Sequence, residues 1–244
     1  MLWARFQGTF KGQAAQMLGE TEWMAVTLSV QVSLWATAIS LPVAIGVAYL
    51  LARHEFRGHA VLNALVHAPL VLPPVVTGYL LLLLFSRNGP AGQVLLDWFG
   101  VTLAFHWTGA VLAAAIMAFP LMVRAIRLGF EAVDPKLEQA AQTLGVRPVV
   151  VFATITLPLI FPSVLAGMVL AFAKAMGEFG ATITFVSNIP GQTQTIPSAI
   201  YSAMQVPGQE PVAMTLVLIS AAIAVGALIV SEILARRMQR RLAA

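Results

Sequence analysis

Five runs along the chain are apolar for long enough to cross a hydrocarbon layer, and short polar segments separate them. A layer about 30 Å thick needs roughly 20 helical residues. Residues 24–51, 60–85, 109–128, 161–186 and 212–234 meet that length, so the pattern predicts five transmembrane helices. Prolines punctuate them: Pro42 in the first, Pro69, Pro73 and Pro74 in the second, Pro120 in the third, and Pro158 and Pro162 where the fourth begins. Each proline removes a donor from the helical ladder, so the adjacent Pro73 and Pro74 predict a bend or break. In lipid a break is tolerated where protein or a water-filled cavity surrounds it. Pro73, Pro74 and nearby Thr77 are therefore candidates for a passage wall.

The intervals between the runs carry their own signals. Residues 88–107 hold Trp98, Phe99, Phe105 and Trp107, which suit a membrane interface. Pro190-Gly191 and Pro207-Gly208 mark turns, and residues 195–204 between them suit a short surface helix. Residues 1–22 are too polar to span and have no apolar core for a cleavable signal. Trp3, Phe6, Phe10, Ala14 and Met17 recur there at helical spacing, so the segment reads as an interfacial helix or an external tail. The expected organisation is all-α: a membrane domain over residues 23–235 and a basic tail over 236–244.

Composition agrees. Only 10% of the 244 residues are charged and 59% are hydrophobic, against about 25% charged in soluble domains. The net charge of +4 would suit nucleic acid, but its distribution suits membrane topology instead. Ten of the fourteen Lys and Arg fall on one side of the five runs: Arg53, Arg57, Arg124, Arg127, Lys136, Arg147, Arg236, Arg237, Arg240 and Arg241. Arg5, Lys11 and Arg87 fall on the other. The basic side is expected to be cytoplasmic, which puts the N-terminus outside and the C-terminus inside.

Catalytic chemistry is hard to find. There is no cysteine, no phosphate-binding Gly-rich loop ending in Gly-Lys-Ser/Thr, and no His-Glu-x-x-His. His54, His59, His67 and His106 lack ligand spacing, and no serine lies in a nucleophile elbow. We expect no catalytic residue, metal site or resident cofactor.

One polar segment interrupts the apolar chain on its basic side. Asp134 suits an N-cap, Pro135 the first helical position, and Gly145 a helix end. Leu137, Ala140, Ala141 and Leu144 then share a flat face at spacings of three and four. A second polar feature lies inside the fourth run. Lys174 and Glu178 are four apart on one helix face. Charges at membrane depth are costly and mark either a neutralised packing pair or a pathway. Gly177 and Gly180 flank Glu178, and Thr182 follows with a hydroxyl, a weak hydrogen-bond donor. No arginine cluster lies in the spans to hold an anionic group tightly by paired forks. That favours a passage which releases its cargo.

The polar segment resembles the cytoplasmic loop of ABC importer permeases. That signature reads Glu-Ala-Ala, three residues, Gly, nine residues, Ile, one residue, Leu-Pro. Here Gln139, Ala140, Ala141, Gly145, Ile155, Leu157 and Pro158 keep every spacing, with the acid displaced to Glu138. The resemblance extends from about Glu22 onward. Through "LVLPPVVTGYLLL" and "GEFGATITFVSNIPGQTQTIPSAIY" it is nearest to the molybdate permeases among oxyanion permeases. It implies the type I importer fold, with a coupling loop at 129–158 whose short helix docks on an ATPase. It implies a bacterial inner-membrane homodimer surrounded by lipid, with two ATP-binding subunits that hold ATP and Mg. An external molybdate-binding protein completes the set, and tungstate is an alternative cargo. Two other readings stand beside it. One is a sulfate or thiosulfate ABC permease. The other is a secondary transporter or membrane enzyme relying on Lys174 and Glu178.

Overall fold

The computed structural model describes residues 18–242. The amphipathic pattern read in Trp3 to Met17 lies outside them. Ten helices follow: α1 (Glu20–Arg53), α2 (His59–Val71), α3 (Pro74–Phe85), α4 (Pro90–Phe99), α5 (Trp107–Ala132), α6 (Pro135–Thr143), α7 (Pro148–Met176), α8 (Gly180–Val186), α9 (Ile196–Met204) and α10 (Glu210–Leu242). A π-helical turn, Phe152–Thr156, lies within α7. There is no strand among the described residues.

α1, α5, α7 and α10 are each long and apolar enough to cross a membrane. The expected second span is instead two helices, α2 and α3, bent by 111° at the Pro73-Pro74 break. Pro73 caps α3 and Pro74 is its first residue, so the prolines start a helix where the missing donor matters least. Contacts show that the bent pair still crosses once. Arg53 at the end of α1 reaches the Val133 carbonyl at the end of α5, and Trp35 and Trp107 line one groove near the other end. α1 and α5 therefore run parallel. Asn63 of α2 meets Arg127 near the end of α5, whereas Phe85 of α3 meets Phe185, whose neighbour Val186 lies against Gly109 at the start of α5. Between α1 and α5 the chain thus returns from one end of the bundle to the other, which agrees with the bent pair as one span and five in all among the described residues.

Small residues line the contacts between helices, with Phe130, Phe185, Met117, Met122 and Ile126 filling the core around them. Ser29, Ser33, Ala36, Ser40, Ala44 and Ala48 form a buried stripe on α1, and Ala110, Ala113, Ala114 and Ala118 form one on α5. Small side chains let helices approach closely in lipid, where no hydrophobic drive holds them together. α5 is the central helix, with 67% of its apolar window buried against 11% for α10. Many large residues, among them Leu34, Trp35, Val61, Leu65, Leu228 and Ile229, face outward, as lipid contact requires.

Three boundaries differ from the sequence pattern. α5 continues to Ala132, and α7 begins at Pro148 rather than near residue 161, so the loop between them shortens to α6 and its flanks. The fourth run is not continuous, because α7 stops at Met176 and α8 starts at Gly180. The helix at 196–204 forms as expected: Tyr201 and Met204 are exposed, while Ile196, Ser198, Ala199 and Ala203 are buried and the Ser29 hydroxyl accepts the Ile196 amide at 2.7 Å. The basic tail is helical, since α10 runs through Leu242.

Candidate functional site

Local chemistry builds α6 as the sequence suggests. The Asp134 carboxylate accepts the Lys136 amide at 2.9 Å, Pro135 opens the helix, and Gly145 at φ +80° turns the chain out of it. The left-handed conformation favours glycine, because a Cβ there crowds the following carbonyl. No residue of α6 is buried. Leu144 is 83% exposed, and Leu137, Gln139 and Ala140 are exposed beside it. Ala141 turns half inward. Val149 and Val150 on the first turn of α7 extend the exposed apolar patch, which the sequence reading missed. An exposed apolar patch beside polar residues, at the charged end of the bundle, is the kind of surface that marks an interaction site.

The remaining signature residues lie in the rod behind the knob. Ile155 sits in the π turn, and Leu157 and Pro158 follow it, all half-buried. Pro158 offers no amide to the ladder and its ring presses on the preceding turn. The wider π turn just before it, closed by the Leu157 amide on the Phe152 carbonyl, accommodates both demands.

Glu138 does not face the partner surface. Its Oε1 accepts Arg53 Nη2 at 3.1 Å and the Thr156 hydroxyl at 2.9 Å. The acid next to the signature is spent inside this chain, and Gln139 is the exposed residue at the signature's first position.

The second group of candidates gathers near the opposite end of α7. Lys174 Nζ meets Glu178 Oε2 at 2.6 Å, and Glu178 Oε1 accepts the Ala181 amide at 3.0 Å. Glu178 is 1% exposed at its side chain and Lys174 29%. Glu178 therefore spans the break between α7 and α8, holding a cation before it and an amide after it. Gly180 fits against Pro74, where a Cβ would lie 2.8 Å from the proline Cβ. Gly78 seats on the other side of the same seam, where a Cβ would fall 2.5 Å from the Ala181 carbonyl oxygen. The two broken spans thus meet at their breaks. Gly177 caps α7 without steric need, because a Cβ there would make one ordinary contact. The Thr182 hydroxyl donates to the carbonyls of Glu178 and Phe179, so its proton is engaged within the backbone. Thr77, buried in the seam, has a hydroxyl with no partner.

Comparison with known proteins places these features in a family. The family described as binding-protein-dependent transport system inner membrane component matches residues 40–243. The molybdenum transport system permease protein ModB of Escherichia coli K12 is 59% identical over 225 residues, covering 92% of this chain and 98% of that protein. ModB of Haemophilus influenzae is 56% identical over 218 residues, covering 89% and 95%. Among solved structures, a bacterial alginate ABC transporter in complex with an alginate-bound periplasmic protein contains a chain of the same fold. It aligns at a TM-score of 0.72 and 16% identity, covering 91% of this chain and 80% of that one.

Proposed function

The chain belongs to the binding-protein-dependent transport system inner membrane components, and on that premise we propose that it is the membrane subunit of an ATP-driven molybdate importer. Two copies form the passage. Each presents α6 to one of two separate ATP-binding subunits, which hold ATP and Mg. An external binding protein delivers the oxyanion, and tungstate, of the same charge and tetrahedral shape, is a second cargo. The basic end of the bundle faces the cytoplasm, with the N-terminus outside.

The observation that carries this reading is the exposed face of Leu137, Ala140 and Leu144 on a capped helix outside the membrane bundle. A nine-residue helix has little stability of its own in water. An apolar face on such a helix is retained where a partner covers it. Identity to molybdenum permeases over nearly the full chain supports the cargo. The seam of Pro74, Gly78, Gly180 and Ala181, with Lys174 already neutralised by Glu178, suits a passage wall that does not hold a dianion tightly.

The test is reconstitution in liposomes with the ATP-binding subunit and the external binding protein. Molybdate-loaded binding protein should raise ATP hydrolysis and drive molybdate accumulation. Absence of stimulation contradicts the coupling, and preference for sulfate contradicts the cargo.

A further inference from the structure

We infer that Arg53 and Glu138 form a strut that carries movement of α6 into several membrane helices at once, which makes Arg53 a positioning residue for coupling. The inference rests on the docking role of α6 proposed above. Arg53 is the last residue of α1. One guanidinium nitrogen, Nη2, donates both to the Val133 carbonyl and to Glu138, each at 3.1 Å. Val133 is the residue that ends α5. The same carboxylate oxygen of Glu138 accepts Thr156, which closes the π turn of α7 and is 1% exposed. A single exposed helix is thereby fastened to the ends of three membrane helices. The fork is half used, because Arg53 Nε is buried without a partner.

A second layer isolates the strut's role. One turn deeper, Tyr49 of α1 packs edge-on against Phe130 of α5 at 5.4 Å and Phe152 of α7 at 5.8 Å. Phe130 and Phe152 stack at 6.2 Å. These rings join the same three helices by dispersion and ring geometry, without α6. The aromatic layer holds the bundle, and the charged layer attaches the moving part. An apolar tether would slide. A charge-assisted hydrogen bond fixes direction as well as distance.

The experiment uses the reconstituted importer with Arg53→Gln, Glu138→Gln, the double variant and Thr156→Val. Two quantities are read: retention of the ATP-binding subunit, and molybdate taken up per ATP hydrolysed. Each charge variant should keep the ATP-binding subunit yet lose about tenfold in uptake per ATP. The double variant should lose no more than either single one, because the Arg53–Glu138 contact is the interaction that all three remove. Thr156→Val should lose about threefold, and it serves alone if the charge variants fail to accumulate. An unchanged ratio, additive losses, or loss of the ATP-binding subunit would overturn the strut. A wild-type chain that never retains that subunit would instead overturn the docking reading.

Discussion

Two of the ion pairs among the described residues differ in what they connect. Lys174 and Glu178 are four residues apart and bridge one helix break, deep among apolar residues. Arg53 and Glu138 are 85 residues apart and join four elements at one end of the bundle. The first pair has a nearly dry acid and a partly exposed base, and its acid also accepts the Ala181 amide across the break. The second has two partly shielded partners and an exposed helix hanging from it. A local pair stabilises a bend in place. A distant pair ties together helices that are far apart in the chain, which is what the proposed strut requires.

That contrast yields an ordered set of outcomes. The largest stability effect should come from Lys174→Ala, which leaves Glu178 buried without its cation. Removing one member of a buried pair costs about 3 kcal/mol, read as a lower thermal midpoint of the purified protein in detergent. Adding Glu178→Gln should restore part of that loss, and a further fall would break the idea of a compensated hinge. Next comes Gly78→Ala, whose Cβ would press on the Ala181 backbone. Overpacking of that kind costs about 1–3 kcal/mol, and the same thermal measurement checks it. Gly177→Ala, with open space around it, should change little and serves as the control within the seam.

The opposite end should respond in function before stability. Gly145→Ala forces a side chain into the left-handed region at about 1–2 kcal/mol. Since no atom crowds the site, that strain tilts the end of α6, and affinity for the ATP-binding subunit should fall about tenfold in a binding titration. The smallest effect is expected for Gln139→Glu, within about 0.5 kcal/mol, as for exposed positions generally. A large gain there would show that the displaced acid of the signature is a real handicap. Unchanged affinity in Gly145→Ala would remove α6 from the partner interface.

How much of this was legible in the sequence follows from range. The cap of Asp134, the turn at Gly145 and the break at Pro73-Pro74 are local, and the residues themselves dictate them. The lengths of the apolar runs were equally readable, because bilayer thickness sets them. Arg147-Pro148 signals the start of a short element, but nothing local shows that a π turn joins it to the span. Glu138 looked like a partner contact, because nothing local reveals that Arg53 and Thr156 claim it. The meeting of Gly180 with Pro74 and of Gly78 with Ala181 is a tertiary fact, although the glycines hinted at close approach. Thr182 suited an oxyanion by type, but its hydroxyl is engaged by its own helix. The buried small-residue stripe of α1 was a readable signal that went unused.

The most direct test follows the exposed face itself. The chain has no cysteine, so Ala140→Cys and Leu144→Cys each introduce a single reporter. A membrane-impermeant maleimide should leave both unlabelled in intact cells and label both in inverted vesicles, and the bound ATP-binding subunit should block that labelling. Labelling from outside intact cells, or labelling that the subunit leaves unchanged, would contradict the account.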